Sequence, residues 1–172
     1  MSAVDYFEQV FDPRFCAFLL ANARSELVSG HAFTRSNLDW DAGIRKASAK
    51  VLVRDYDATL SAMIIDQLIA RTVIDHRDYH VMNYAWTAQS YIPWHNDGHR
   101  PEAITLYLND VWDLDWGGLF LFRDPDDQIR AFPPAFNCGV KNGNHVLHST
   151  TPVSLDAPEP RFTVQLFSTR AS

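Results

Sequence analysis

Short apolar or alternating runs recur from Tyr79 to the end of the chain, and this pattern limits the fold more than any other feature. The runs cover residues 79–84, 90–94, 103–109, 118–123, 136–140, 145–148 and 162–168. Turn-forming stretches separate them, among them Asp124-Pro125-Asp126 and Lys141-Asn142-Gly143. Many short strands with regular turn signals predict a β-sandwich or barrel.

The first third of the chain predicts helices. Asp12 followed by Pro13 is a helix-start signal, because proline at the first helical position gives up only an N–H that would lack a partner. Apolar residues then recur at helical spacing until Gly30, and a second helix is predicted over about residues 57–74. Between the helices we expect an irregular loop over 37–54 that leads into a strand near 47–53.

These patterns together predict a single domain over residues 1–172. Its fold class is mainly β with N-terminal helices (α+β), since the helical signals come before the strand signals. Helical support is expected over about 1–78 and a β-sandwich core over about 79–170.

Composition argues against several classes of partner. The chain of 172 residues is long enough for a hydrophobic core, and its formal net charge is −6. Nucleic-acid binders usually carry a basic face, so no nucleic-acid partner is expected. No apolar run is long enough to span a bilayer and the N-terminus lacks a signal-peptide pattern, so no membrane partner is expected. Cys16 and Cys138 form no cluster, which favours a reducing, cytoplasmic location.

Seven histidines raise the question of a metal site. Two of them begin a His-x-Asp pair, at His76 and at His95, and chance alone makes such pairs common. His76 lies in a charged cluster between a helix and a strand, so we interpret it as part of a solvated junction. His95 instead ends an aromatic run that we expect to be a strand. Residues two apart in an extended segment point to the same side, so His95 and Asp97 are predicted to face one metal ion.

His148 is the candidate for the third ligand, from elsewhere in the sandwich. Two neutral imidazoles and one carboxylate on one face of an octahedral iron(II) ion leave three positions open for a bidentate cosubstrate and dioxygen. Arg161 opens the last predicted strand and shares a face with Thr163. A buried guanidinium requires an anionic partner, and a dicarboxylate such as 2-oxoglutarate would supply one, although an arginine at this place is more often a surface charge.

The order of these residues resembles a known family. His95-x-Asp97, then fifty residues, His148, then twelve residues and Arg161 are similar to the 2-oxoglutarate and iron(II)-dependent oxygenases, specifically their prolyl-hydroxylase-like branch. Residues 106–112 with Gly117-Gly118 resemble that branch's YLN…W…GG passage, and His148 with Pro152-Val153 resembles its H…PV passage. The second match favours His148 over His145, which lies three residues earlier and would point to the other face of a strand.

The resemblance covers about residues 84–168 and implies a double-stranded β-helix core of the jelly-roll, cupin-like type. It implies that the catalytic metal ligands are His95, Asp97 and His148. The residues it implies for the cosubstrate are Arg161, which would bind the 5-carboxylate, with Tyr107, Thr163 and Tyr84. A tyrosine that simply fills the core would account for Tyr84 equally well. The implied cofactors are iron(II), 2-oxoglutarate and dioxygen, with ascorbate as a further candidate.

The resemblance also implies the reaction of this enzyme. Related halogenases carry a small residue where Asp97 stands, so hydroxylation of a C–H bond is expected, coupled to oxidative decarboxylation of 2-oxoglutarate. The implied substrate is a small amino-acid-like molecule or a prolyl or peptidyl group. Two alternatives remain, a cupin-like metal-dependent hydrolase or isomerase and a non-catalytic ligand-binding β-sandwich. Arg45, His99 and Arg100 are candidates for substrate contacts, although exposed loop residues would show the same pattern.

Overall fold

The computed structural model of the protein describes residues 4–30, 35–36, 51–98 and 100–170. Two helices and ten strands are described, and the strands form two antiparallel sheets. In chain order the elements are β1 (Val4–Phe7), α1 (Pro13–Ser29), β2 (Arg35–Ser36), β3 (Val51–Asp55), α2 (Ala58–Ala70), β4 (Tyr79–Trp86), β5 (Glu102–Tyr107), a 3-10 turn (Leu114–Trp116), β6 (Phe120–Arg123), β7 (Ile129–Phe132), β8 (Gly139–Gly143), β9 (His148–Thr150) and β10 (Arg161–Ser168). The predicted fold class, mainly β with N-terminal helices, is confirmed.

Helix α1 has the predicted ends. The carboxylate of Asp12 accepts hydrogen bonds from the backbone N–H groups of Arg14 and Phe15, and Gly30 closes the helix in the left-handed conformation with φ of 69°. Such caps satisfy backbone groups that the helix itself leaves without partners.

Helix α2 begins after Asp57 as predicted but ends at Ala70, four residues before the predicted end. Thr72 takes a positive φ of 57° there, and the N–H of Val73 donates back to the carbonyl of Leu68. The helix therefore ends in a turn, after which Val73 and Ile74 are buried in the core.

Strand β10 organises the larger sheet, whose order is β1-β8-β5-β10-β4-β3-β2. It pairs along its whole length with β4 and over five residues with β5. Because strand residues alternate between faces, Phe162, Val164 and Leu166 lie in the hydrophobic core that includes residues of both helices. Arg161 and Thr163 then point to the other face, toward the smaller sheet β7-β6-β9. The space between the two sheets holds the candidate site.

Several strand predictions were wrong in position. No strand forms over 90–94, and His95 instead makes an isolated bridge with His148. Strand β8 covers Gly139–Gly143, so Lys141-Asn142-Gly143 is a strand and not the predicted turn. Strand β9 begins at His148, the residue at which the predicted strand ended. Strand β1 and strand β7 were not predicted; β7 is exposed, so it lacks the buried alternating pattern that signals a strand.

The larger sheet draws strands from both parts of the chain. Strand β1 pairs with β8 and β3 pairs with β4, so the segment expected to be helical support also supplies strands. The strand predicted near 47–53 is found at Val51–Asp55. Within the described part of the chain, neither helix is long and apolar enough to cross a membrane.

Candidate active site

The three predicted metal ligands converge between the sheets. One ligand atom from each of His95, Asp97 and His148 lies within 4.8 Å of the others. The Nε2 atom of His95 is 3.8 Å from Asp97 Oδ1, and the Nε2 atom of His148 is 3.7 Å from Asp97 Oδ2. Two imidazoles and one carboxylate arranged in this way match the donor set of a non-haem iron(II) site.

Backbone pairing brings the two histidines together. His95 and His148 exchange both backbone hydrogen bonds, each 2.9 Å long, so they face each other as an antiparallel pair. Their ring centroids are 4.3 Å apart. The His-x-Asp spacing then adds Asp97 from the same segment, so a single bridge between distant parts of the chain assembles the set.

Hydrogen bonds at Nδ1 fix the tautomer of both imidazoles. His95 Nδ1 lies 2.8 Å from the carbonyl of Pro93, and His148 Nδ1 lies 2.9 Å from the carbonyl of Val146. A carbonyl can only accept, so Nδ1 carries the hydrogen and the lone pair of Nε2 is directed at the shared centre. Burial lowers the pKa of His148, which also stacks on Phe120, and so favours the neutral imidazole that a metal requires.

Asn142 supports the carboxylate of the set. Its Nδ2 donates a 3.0 Å hydrogen bond to Oδ2 of Asp97, and the residue is buried. The bond occupies a lone pair of that oxygen, which leaves Oδ1 as the freer donor atom for a metal. Sequence reasoning assigned Asn142 to a turn because Asn-Gly is typical of turns; its register opposite Ala103 of β5 was the missing information.

The other candidate histidines lie elsewhere. His145 is exposed and does not belong to the cluster. His76 is also outside it, at a junction whose charged residues Asp75, Arg77 and Asp78 are exposed as predicted, but its own side chain is not solvated. The side chain of His76 is only 7% exposed, because it stacks on Tyr79 and its Nε2 lies 3.4 Å from a carboxylate oxygen of Glu102.

Arg161 lies in the same interior and is 1% exposed. Its Nη1 donates to the carbonyl of Gly118, while Nε and Nη2 have no hydrogen-bond partner. The guanidinium carbon lies 4.4 Å from the ring centroid of Trp86. Loss of hydration lowers the pKa of Arg161 to about 10, which still leaves the side chain charged at neutral pH. A fully buried cation with two nitrogen atoms that lack hydrogen-bond partners is the feature expected of a site that binds an anion.

The glycine pair seen in the sequence makes room for this arginine. Gly118 has a φ of 70°, and a Cβ atom there would lie 3.0 Å from Cδ and 3.1 Å from Nη1 of Arg161. Gly117 also has a positive φ, of 68°, and a Cβ there would collide with the carbonyl oxygen of Pro152. Larger residues at either position would push the guanidinium or the neighbouring chain out of place.

Two hydroxyl groups accompany the guanidinium. Tyr107 is buried, its hydroxyl has no hydrogen-bond partner, and burial raises its pKa to about 12, so it stays protonated and can donate. Thr163 Oγ1 accepts hydrogen bonds from Trp86 Nε1 at 3.0 Å and from Gln165 Nε2 at 3.2 Å. With both acceptor positions used, the Thr163 hydroxyl hydrogen is available to a ligand.

Asn109 holds the start of β10 in position. Its Oδ1 accepts the N–H of Phe162 at 2.6 Å, and its Nδ2 donates to Glu159 and to the carbonyl of Pro160. The residue belongs to the YLN passage noted in the sequence, and the structure gives it this specific role. Arg161 thereby has its backbone fixed on both sides.

A cavity connects the metal-ligand cluster with the wall of the arginine site. Its lining includes Tyr84, Trp86, His95, Asp97, Phe120, Asn142, His148, Gln165 and Phe167. Tyr84 is 1% exposed, and its place in this lining is compatible with the role that the resemblance implies for it. Arg161 does not line the cavity directly, because Trp86, which does, stacks on the guanidinium. Arg45 and His99 lie outside the described residues, whereas Arg100 packs on Phe167.

Comparisons with known proteins identify the fold. No known family model matches the sequence, and no curated protein is detectably similar to it. Among solved structures, a Pseudomonas putida prolyl-4-hydroxylase has a TM-score of 0.77 at 15% identity, over 99% of this chain and 94% of that one. A Trichoplax adhaerens prolyl hydroxylase, solved with a peptide of hypoxia inducible factor, has a TM-score of 0.75 at 14% identity, over 96% and 83%.

A 2OG-Fe(II) oxygenase family oxidoreductase from Burkholderia pseudomallei has a TM-score of 0.66 at 14% identity, over 99% of this chain and 87% of that one. These similarities extend over nearly the whole chain and confirm the predicted resemblance at the level of the fold. The protein therefore has the double-stranded β-helix fold of 2-oxoglutarate and iron(II) oxygenases, with a His-Asp-His cluster inside it.

Proposed function

We propose that this protein is a 2-oxoglutarate-dependent iron(II) oxygenase that hydroxylates a C–H bond. His95, Asp97 and His148 would hold the iron, and Arg161 would bind the 5-carboxylate of 2-oxoglutarate. The observation that carries the proposal is the combination of a two-histidine, one-carboxylate cluster with a fully buried guanidinium, two of whose nitrogen atoms have no hydrogen-bond partner. Either feature alone is compatible with several kinds of protein, and their presence in one β-sandwich favours this activity.

The arginine site fits a carboxylate. Nε and Nη2 of Arg161 lie on one edge of the planar guanidinium, so they can donate to the two oxygens of a carboxylate together. The hydroxyls of Tyr107 and Thr163, both buried residues, would supply further donors. A neutral ligand would leave the charge of Arg161 uncompensated, which disfavours it.

Bound iron(II) would supply activation of dioxygen, with 2-oxoglutarate + O2 + R–H giving succinate + CO2 + R–OH overall. The residues of the chain do the rest. The Nε2 atoms and Asp97 would hold the metal and Arg161 would orient the cosubstrate, while the hydrogen bond from Asn142 would keep the carboxylate of Asp97 aligned. The aromatic side chains of Trp86 and Phe167 line the cavity and would limit the access of water to it.

A cupin-like hydrolase or isomerase would share the metal ligands but has no use for a buried arginine with free donors. A non-catalytic binding module would need neither. The substrate we propose is a small amino-acid-like molecule or a prolyl or peptidyl group; a peptide is present in one of the similar structures. We also propose a reducing, cytoplasmic location, which two buried free cysteines support, and ascorbate as an accessory reductant.

Turnover of 2-oxoglutarate tests the proposal. Purified protein with iron(II), 2-oxoglutarate and air should release succinate in the absence of substrate at a slow rate, and faster with amino acids or peptides that are hydroxylated. His148→Ala and Arg161→Gln should both lose this activity, the first through iron binding and the second through 2-oxoglutarate binding. Iron binding without any 2-oxoglutarate binding would favour the hydrolase or isomerase alternative instead.

A further inference from the structure

Arg100 lies beside the candidate site, three residues after Asp97. Its guanidinium carbon is 3.9 Å from the ring centroid of Phe167, which lines the same cavity as the metal-ligand cluster. The backbone N–H of Arg100 donates to the carbonyl of Asp97, so a short turn ties the arginine to a predicted metal ligand. The side chain is half-buried.

Sheet register places Arg100 near the metal-ligand cluster and far from Arg161. Phe167 pairs with Ala103, and Ala103 pairs with Asn142, which contacts Asp97. Phe167 is six residues from Arg161 along β10, a distance of about 20 Å between backbone positions. One cation therefore lies near each end of the inner face of β10, Arg161 on the strand itself and Arg100 against Phe167, and the two cannot bind the same small carboxylate.

Arg100 also lacks a counter-ion among the residues that the structure describes. Several other arginines of the chain do contact acids: Arg24 contacts Glu159 and Asp110, and Arg54 contacts Glu26. Stacking on Phe167 holds the guanidinium plane and leaves its N–H edges able to form hydrogen bonds. A partly buried, oriented cation without an acid is suited to bind an anionic ligand.

We propose that Arg100 binds a carboxylate of the primary substrate, so that the substrate class is a small organic acid such as a free amino acid. This inference rests on the proposed function, because it assigns the 2-oxoglutarate carboxylate to Arg161. Arg100 then sets specificity: an acid gains charge-assisted hydrogen bonds near the metal, and the corresponding uncharged amide does not. An internal prolyl residue of a peptide has no such group and is disfavoured.

Binding of matched acids and amides tests this assignment. The twenty L-amino acids and their α-carboxamides are titrated calorimetrically, without oxygen, into protein loaded with iron(II) and 2-oxoglutarate. We expect at least one acid to bind, with its amide about tenfold to a hundredfold weaker. Arg100→Gln should remove most of that difference, and Arg100→Lys should keep part of it. Arg14→Gln, an exposed charge on α1, is the matched control and should bind as the wild type does.

The outcomes separate this inference from the proposed function. If the wild-type protein binds 2-oxoglutarate but no acid, or binds acids and amides equally, Arg100 is not a carboxylate site. Equal weakening of acid and amide by Arg100→Gln would show a purely structural stack on Phe167. Weaker 2-oxoglutarate binding in that variant would assign Arg100 to the cosubstrate and also overturn the inference. Absence of 2-oxoglutarate binding in the wild type would refute the proposed function itself.

Discussion

Replacing Arg161 with methionine tests two properties of this arginine separately: the unfavourable effect of its buried charge on folding, and its proposed role in binding 2-oxoglutarate. The substitution keeps a long, unbranched side chain but removes the guanidinium from a site that is 1% exposed. If this residue serves to bind an anion, the protein without ligand should tolerate its loss, whereas binding of 2-oxoglutarate should disappear. An arginine whose role is an internal ion pair would behave in the opposite way.

The size of the effect on folding follows from opposing contributions. Burial lowers the pKa of Arg161 from 12.5 to about 10, which corresponds to about 3 kcal/mol of unfavourable free energy for the charged form in the folded protein. Because the pKa of this cation is lowered on folding, the charged form destabilises the folded protein at all pH values below about 10, where the side chain is protonated. Methionine removes it, but leaves the Gly118 carbonyl unpaired, at about 1–3 kcal/mol, and loses the stack on Trp86, at about 1–2 kcal/mol.

The net change in unfolding free energy is therefore about 2 kcal/mol or less in either direction. Urea denaturation of the metal-free protein, with and without 2-oxoglutarate plus Zn²⁺ as a redox-inert metal, measures both effects. Wild-type protein at a ligand concentration of about 100 Kd should gain about 2.7 kcal/mol, and Arg161→Met should gain what the metal alone provides. Arg161→Lys keeps the positive charge but lacks the planar guanidinium that can donate two parallel hydrogen bonds to a carboxylate. This variant should therefore recover little of the stabilisation by 2-oxoglutarate.

Two results would refute this reasoning. A loss of about 3–5 kcal/mol in the ligand-free variant would reveal an internal anionic partner for Arg161. Full stabilisation of Arg161→Met by 2-oxoglutarate would show that the cosubstrate binds elsewhere.

The candidate metal site supports three more predictions. His148→Ala should abolish iron(II) binding at micromolar metal while His76→Ala should not, and equal loss in both by calorimetry would overturn the choice of His-x-Asp pair. Asn142→Leu removes the hydrogen bond to Asp97 and should weaken metal binding about 10- to 100-fold, while circular dichroism shows an intact fold. An unchanged metal affinity would show that Asn142 does not position Asp97. Burial lowers the pKa of His148 from its ordinary 6.5, so the imidazole takes up a proton at higher pH in the unfolded chain than in the folded protein. The stability of the metal-free protein should therefore fall as the pH drops below 6.5. His148→Ala should reduce this fall, measured as the urea concentration at the unfolding midpoint against pH.

Local signals in the sequence were sufficient to predict the ends of α1, the face on which the residues of β10 lie, and two of the candidate metal ligands. Asp12, Pro13 and Gly30 define α1, because caps and proline act on the residues next to them. Arg161 and Thr163 lie on one face of β10 because side chains alternate between the two faces of any strand. This alternation can be predicted without knowing which strands are its neighbours. The His-x-Asp pair is likewise local, so two of the three members of the cluster could be chosen from their spacing and the turn that follows.

Tertiary structure alone decided which distant residues meet. The register between His95 and His148 joins positions 53 residues apart, and no local rule fixes such a pairing. Asn142 has the sequence of a turn and becomes an inward-facing strand residue only because β5 and β1 pair on either side of it. The burial of Arg161 and the stacking of Arg100 on Phe167 depend in the same way on neighbours from other strands. Spacing determines which way a side chain points, whereas the charge and solvation that it meets there depend on how the sheets close around it.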